Sequence, residues 1–101
     1  MGRDHVATLI GVTYREDALK QKIPVETKRE IFCQVDGMRL SEWFSAGQKG
    51  LKPQFMVTVY PDDYAGEPLI EVDGVRYGIY RTYPAKHDKL ELYLEKKGGV
   101  G

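Results

Sequence analysis

Along most of the chain, apolar and polar residues alternate with a period of two, the spacing at which side chains line one face of an extended strand. Val6, Thr8, Ile10, Val12 and Tyr14 share one side of a first strand. Arg15 to Lys22 is polar and reads as a mobile loop, although its EDALKQK run has the composition of a single helical turn. Pro24 lacks a ladder donor, so it opens the next strand rather than sitting inside it. From there Val25, Thr27, Arg29, Ile31, Cys33 and Val35 fall on one face, polar at the start and apolar at the end. That gradient predicts a strand with one end projecting past the core, while Ile31, Cys33 and Val35 enter it.

After Asp36-Gly37 the alternation stops. Ser41 to Pro53, SEWFSAGQKGLKP, carries the adjacent aromatics Trp43 and Phe44, two glycines and the lysines Lys49 and Lys52. Long insertions in compact chains are usually functional or disordered, and a Trp-Phe pair is poor material for a disordered linker. The segment is therefore expected to order against a partner. Any helix should be short and confined to Leu40–Ala46, with Ser41 capping a turn that holds Glu42, Trp43 and Phe44.

Pro53 restarts an extended run in which Phe55, Val57 and Val59 alternate with Met56, Thr58 and Tyr60. Both faces are largely apolar, so this strand is either covered on both sides or lies in a subunit interface through Phe55, Met56 and Tyr60. PDDYAGEP is a turn-rich connection. Asp73-Gly74 then joins two strand-like runs, a pair suited to the positive backbone angles of a type I′ hairpin. In KLELYLEKK, Leu90, Leu92 and Leu94 oppose Glu91, Tyr93 and Glu95, an inside-outside alternation. The pattern predicts an all-β fold, a small antiparallel β-barrel or sandwich of about six strands. One long loop, with room for a short helix, lies between strands 2 and 3.

A chain of 101 residues fits one domain spanning 1–101, with 40–53 inserted and 97–101 a flexible tail, and it buries somewhat more than ~60% of its unfolded surface. Lysine plus arginine balance aspartate plus glutamate at 15 each, so no net field draws the protein to nucleic acid or an anionic membrane. Cys33 is the single cysteine, which excludes an intrachain disulfide and fits a reducing compartment. The apolar stretch near the start is short and interrupted by Thr8, Gly11 and Thr13, unlike a signal peptide or spanning helix. These features predict a soluble protein made in the cytoplasm.

Catalytic chemistry requires a nucleophile beside a base, paired carboxylates, a metal cluster or a phosphate loop, and none is legible here. His5 and His87 are far apart and lack ligands at metal spacing; Cys33 sits on an apolar strand face with no charge to activate it. Asp62-Asp63 beside Pro61 reads as turn chemistry. AGQKG is no P-loop, since Leu51 stands where Lys-Ser/Thr is required. The expectation is a protein without catalytic residues, metal or cofactor. Tyr77, Tyr80 and Tyr83 alternate with Arg76 and Arg81, which leaves open a second reading, a small nucleic-acid-binding β-barrel module that stacks bases on Tyr77 and Tyr80 beside Arg81.

Three blocks, ETKREIFCQV, SEWFSAGQKGLKPQFMVTVYPDDYAGE and VDGVRYGIYRTYPAKHDKLELYLEKK, resemble the head-closure proteins of tailed phages with long non-contractile tails, also called stoppers or head-tail joining proteins. The resemblance implies a structural virion protein of the head-to-tail connector. It would assemble as a homo-oligomeric ring below the portal and adaptor, close the DNA-filled capsid and present a tail-docking surface. The partners implied are the adaptor and portal proteins, a tail protein and packaged double-stranded DNA met by steric contact in the channel. The location implied is the virion, after synthesis in the bacterial host cytoplasm, with the free protein a monomer and no membrane involved. Ser41, Glu42, Trp43, Phe44, Gln48, Lys49, Leu51 and Lys52 are then the channel-loop and inter-subunit candidates. Asp36-Gly37-Met38 is less typical of that family. An extended loop of this length reaches at most ~45 Å, enough for a ring of such loops to narrow a central channel.

Overall fold

A computed structural model describes residues 5–97, and the alternation seen in the sequence becomes six strands among those residues: β1 (His5–Glu16), β2 (Lys22–Asp36), β3 (Pro53–Val59), β4 (Leu69–Val72), β5 (Val75–Ala85) and β6 (Lys89–Lys96). One helix, α1 (Leu40–Gln48), lies between β2 and β3, and a single 3₁₀ turn covers Pro61–Asp63. All neighbours are antiparallel, in the closed order β1-β2-β3-β6-β5-β4. The expected flexible tail lies outside the described residues, apart from Lys97.

The core is built from inward-facing residues of every strand: Ala7, Leu9, Ile31, Cys33, Val57, Val59, Ile70, Val72, Leu92 and Leu94, with Phe55, Tyr64, Tyr77, Ile79 and Leu90 packed against them. For β1 the barrel takes the face opposite to the conspicuous one. Val6, Val12 and Tyr14 are exposed whereas Ala7 and Leu9 are buried, and Ile10 alone of the outward set is covered. Register decides this, because Ala7 and Leu9 pair with Ile31 and Arg29 on β2 and with Val72 and Ile70 on β4. On β2, Ile31 and Cys33 enter the barrel as expected, but Val35 is exposed where the strand ends and the chain turns toward α1. Burial, then the nearby Asp73 charge, push the Cys33 thiol up to about 11, so it stays protonated and acts as a small hydrophobe.

The two-sided apolar character of β3 has a simple origin. Phe55, Val57 and Val59 face the core, and Met56 and Thr58 are half-buried on the outside of the sheet between β2 and β6. Asp73 and Gly74 take positive φ values of 53° and 80° between the paired Val72 and Val75, the two-residue turn that the sequence predicts.

Arg15 to Lys22 is not a free loop. The strands continue to Glu16 and from Lys22, and the Asp17 carboxylate accepts the Leu19 and Gln21 amides at 2.8 and 2.9 Å, fixing a tight turn. β4 pairs with β1 only over Ala7–Ile10, so beyond it β1 and β2 run on as a two-stranded arm. The radius of gyration is 15.0 Å, above the ~13 Å of a compact chain this long.

At the arm's root Arg29 Nε and Nη2 donate to Glu67 Oε2 at 3.0 and 2.6 Å, and the Ala65 amide donates to Glu67 Oε1 at 2.9 Å. Burial alone would raise the Glu67 pKa, but these bonds more than offset it and hold the carboxyl below its usual range. Gly11 is required beside this clip: a Cβ there would lie 2.9 Å from Thr27 Oγ1 and 3.3 Å from Glu67 Cγ.

Candidate functional site

The inserted segment folds as a helix followed by a short connection. Helix propensity of Leu40, Glu42, Ala46 and Gln48 allows it, and the Gly50 φ of 82° turns the chain toward β3 after the helix ends. Ser41 does not cap it: the N-cap position is Arg39, with no side-chain bond to the first turn. Nine helical residues span only ~13 Å at 1.5 Å per residue, so this segment presents a rod to its surroundings and not an extended loop of ~45 Å.

What holds the rod to the barrel is a polar clamp. Glu42 accepts hydrogen bonds from Tyr80 Oη at 2.8 Å, from Arg81 Nε at 3.3 Å and from Arg81 Nη2 at 2.6 Å. The Arg81 guanidinium also lies 4.3 Å from the Tyr93 ring centroid, a cation–π stack that fixes its plane. Adjacent residues of a regular strand point to opposite faces, yet Tyr80 and Arg81 both reach Glu42. A β-bulge between Ile79 and Arg81 makes this possible by inserting Tyr80 as an extra residue opposite β6. Ala46, one turn beyond Glu42, is the buried residue of the helix, and Ser45, Lys49 and Leu51 complete a cleft between α1 and Tyr80–Arg81.

Electrostatics follow the geometry. The hydrogen bond from Arg81 holds the Glu42 carboxyl below its ordinary pKa, against the opposing effect of burial. Burial and the Glu42 carboxylate push the Tyr80 phenol upward, and burial with the Glu91 hydrogen bond raises Tyr93 to about 12. The clamp is therefore fully formed above the usual carboxylate range and is lost as pH falls through the depressed folded pKa. Glu42→Gln keeps the shape but removes the charge. It should increase amide exchange over Leu40–Gln48 at pH 7 by roughly ten- to a hundredfold, as a charge-assisted bond of ~1.5 to 3 kcal/mol implies, while amides of β6 stay protected. Once exchange is corrected for its intrinsic pH dependence, protection of the wild-type helix should fall toward that of the variant as pH drops through the lowered Glu42 pKa.

On its other side α1 is uncovered. Leu40 is 69% exposed, Phe44 61% and Trp43 45%, and residues three and four apart share a helix face. Three large apolar side chains therefore form a stripe in solvent. Ser41 and Gln48 are exposed at the helix ends, and Lys49 is the C-cap. Lys52 is exposed, and its carbonyl accepts the Lys96 amide at 2.9 Å.

The three strand-interface candidates separate. Phe55 packs edge-on against Tyr77, with centroids 4.9 Å apart and planes at 80°, so it is committed to the core. Met56 is half-buried on the outer face, and Tyr60 lies just past the end of β3 beneath Lys89, whose Nζ is 5.2 Å from its ring centroid. The tyrosine platform is likewise divided: Tyr77 packs on the core, Tyr80 and Arg81 bind Glu42, and Arg76 pairs with Glu26 on the arm at 2.9 Å.

Among the described residues, no group of three or more His, Cys, Asp or Glu is placed to hold a metal ion. None of the described helices is long and apolar enough to cross a membrane.

Fold and site together define a class: a six-stranded antiparallel barrel with a two-stranded arm and one clamped helix that displays apolar side chains to solvent. No family model matches the chain, and no curated protein matches it at a significant level.

Proposed function

We propose that this protein is a structural ring component of a phage head-to-tail connector, a head-closure protein that sits below portal and adaptor, closes the filled head and offers a surface to the tail. The observation that carries this reading is the exposed stripe Leu40, Trp43 and Phe44 on a helix inserted between two barrel strands. Such a stripe is costly in a free monomer and is the kind of surface that an assembly buries. A cyclic ring uses two different faces of each subunit. The barrel offers α1 on one element and the protruding β1–β2 arm on another.

In this arrangement the channel is narrowed by helices, each braced on its barrel through Glu42, Tyr80 and Arg81. Packaged DNA is held by obstruction, which needs no net positive charge, and the balanced charge of the chain avoids tight phosphate binding. The protein would thus reside in the virion after synthesis in the host cytoplasm. The alternative of a base-stacking module loses its proposed residues to the core and the clamp.

Electron microscopy of the purified protein mixed with portal and adaptor provides the test. The expected result is a ring of this barrel stacked on the adaptor. Failure to bind that complex, together with DNA-filled heads from a deletion mutant, would overturn the reading.

A further inference from the structure

The outer face of the sheet formed by β2, β3, β6 and β5 is only half covered. Cross-strand pairing sets its side chains in rows. One row runs Asp36, Met56, Tyr93, Arg81, and the clamp of α1 stands over its Tyr93–Arg81 end. The next runs Gln34, Thr58, Glu91, Tyr83; these four residues line an open groove with Arg39, Pro84, Ala85, Lys86 and Lys89, and the Arg81 guanidinium lies 5.7 Å from the Tyr83 ring centroid at its edge. Phe32, two residues before Gln34 on the same face, is 62% exposed, and Tyr83 is 52% exposed. Val6, the cross-strand partner of Phe32, extends the apolar floor.

Three cations, Arg39, Lys86 and Lys89, line the groove beside Tyr83, and Lys89 Nζ also lies 5.2 Å from the Tyr60 ring centroid. Arg39, Lys86 and Lys89 have no ion-paired carboxylate among the described residues. Glu91, the one acid lining the groove, already accepts the Tyr93 hydroxyl at 2.6 Å. We infer that this uncovered half-face docks an acidic amphipathic segment of a partner protein, its apolar side chains on Phe32 and Tyr83 and its carboxylates on Arg39, Lys86 and Lys89.

Two observations favour that occupant over nucleic acid. First, the neighbouring half of the same face is already covered in this way, by a helix whose carboxylate, Glu42, binds an arginine and a tyrosine hydroxyl. Second, the Val6–Phe32 pair has no polar handle and gives a phosphate backbone nothing to bind, whereas it suits apolar anchors of a protein interface. The inference concerns a single subunit and stands apart from the ring reading.

The probe is a synthetic helical peptide of ~15 residues, ~22 Å long, which matches the shortest 23 Å extent of the molecule. It carries leucines at helical spacing and glutamates on both flanks. Its twin has every glutamate replaced by glutamine, and a duplex DNA of about the same length serves as competitor. In amide chemical-shift titrations of the whole protein, the acidic peptide should perturb Phe32, Gln34, Thr58, Tyr83 and Lys89 and bind about tenfold more tightly than its twin, the scale expected when charge pairs at an interface are removed. Arg39→Glu combined with Lys86→Glu should abolish the difference without changing the melting temperature, since both side chains are exposed. Phe32→Ser should weaken both peptides equally. Absence of binding, equal affinity for the twin, perturbations confined to α1, or duplex DNA displacing the peptide would each overturn the inference.

Discussion

Leu92→Ala should lower unfolding stability by ~2 to 5 kcal/mol through the cavity it leaves, the largest loss expected from a single substitution here. Leu92 is fully buried on β6, pairing with Val57 on β3 and Thr82 on β5, so it sits where the sheet is continuous and cannot close over a void. Since native domains are stable by only ~5 to 15 kcal/mol, the variant should unfold at a clearly lower urea midpoint, and a marginal background would leave it unfolded at 37 °C. Its slope against denaturant should remain that of the wild type. A midpoint within experimental error of the wild type would show that Leu92 does not carry the core.

The second large effect is opposite in kind. Trp43→Ala with Phe44→Ala should leave the urea midpoint within about 0.5 kcal/mol of wild type, the range typical of surface changes, and should abolish ring assembly or DNA retention. Phe44 is 61% exposed and Trp43 45%, and neither ring belongs to the core cluster, so truncating them opens no cavity in the barrel. In a closed assembly the same truncation recurs at every subunit contact, and aromatic residues supply a large share of interface energy. A double mutant that unfolds would instead make the rings part of the folding core. Normal particles with retained DNA would remove α1 from the assembly surface.

The fold was legible where one physical cause dominated. Asp73-Gly74 announces its hairpin because few residue pairs accept two positive φ angles, and Leu92 and Leu94 announce the inner face of β6 by alternation with Glu91, Tyr93 and Glu95. β1 was harder, because both of its faces are apolar. Only pairing with Ile31 and Ile70 determines that Ala7 and Leu9, and not Val6 and Val12, face inward.

In the candidate site, Trp43 and Phe44 stood out because they fit no strand period, and they do project into solvent. The clamp beneath them was not legible. A bulge at Tyr80 has no local signature, so adjacent Tyr80 and Arg81 read as opposite faces of a regular strand when in fact they meet at Glu42. Asp17 was missed for a similar reason: a polar run reads as mobile until its carboxylate is seen gathering two amides.

The way the barrel closes bears on how it carries load. β1 and β2 form one long hairpin, paired along twelve positions, but that hairpin joins the other four strands only through four pairs with β4 and three with β3. Force applied near Lys20 at the arm's tip is thus delivered by a stiff lever to two short seams rather than to the β3–β6–β5–β4 sheet. The Arg29–Glu67 clip stands at its fulcrum, so a neighbour gripping the arm would pry at the barrel's weakest lines while the leucines of β6 stay seated.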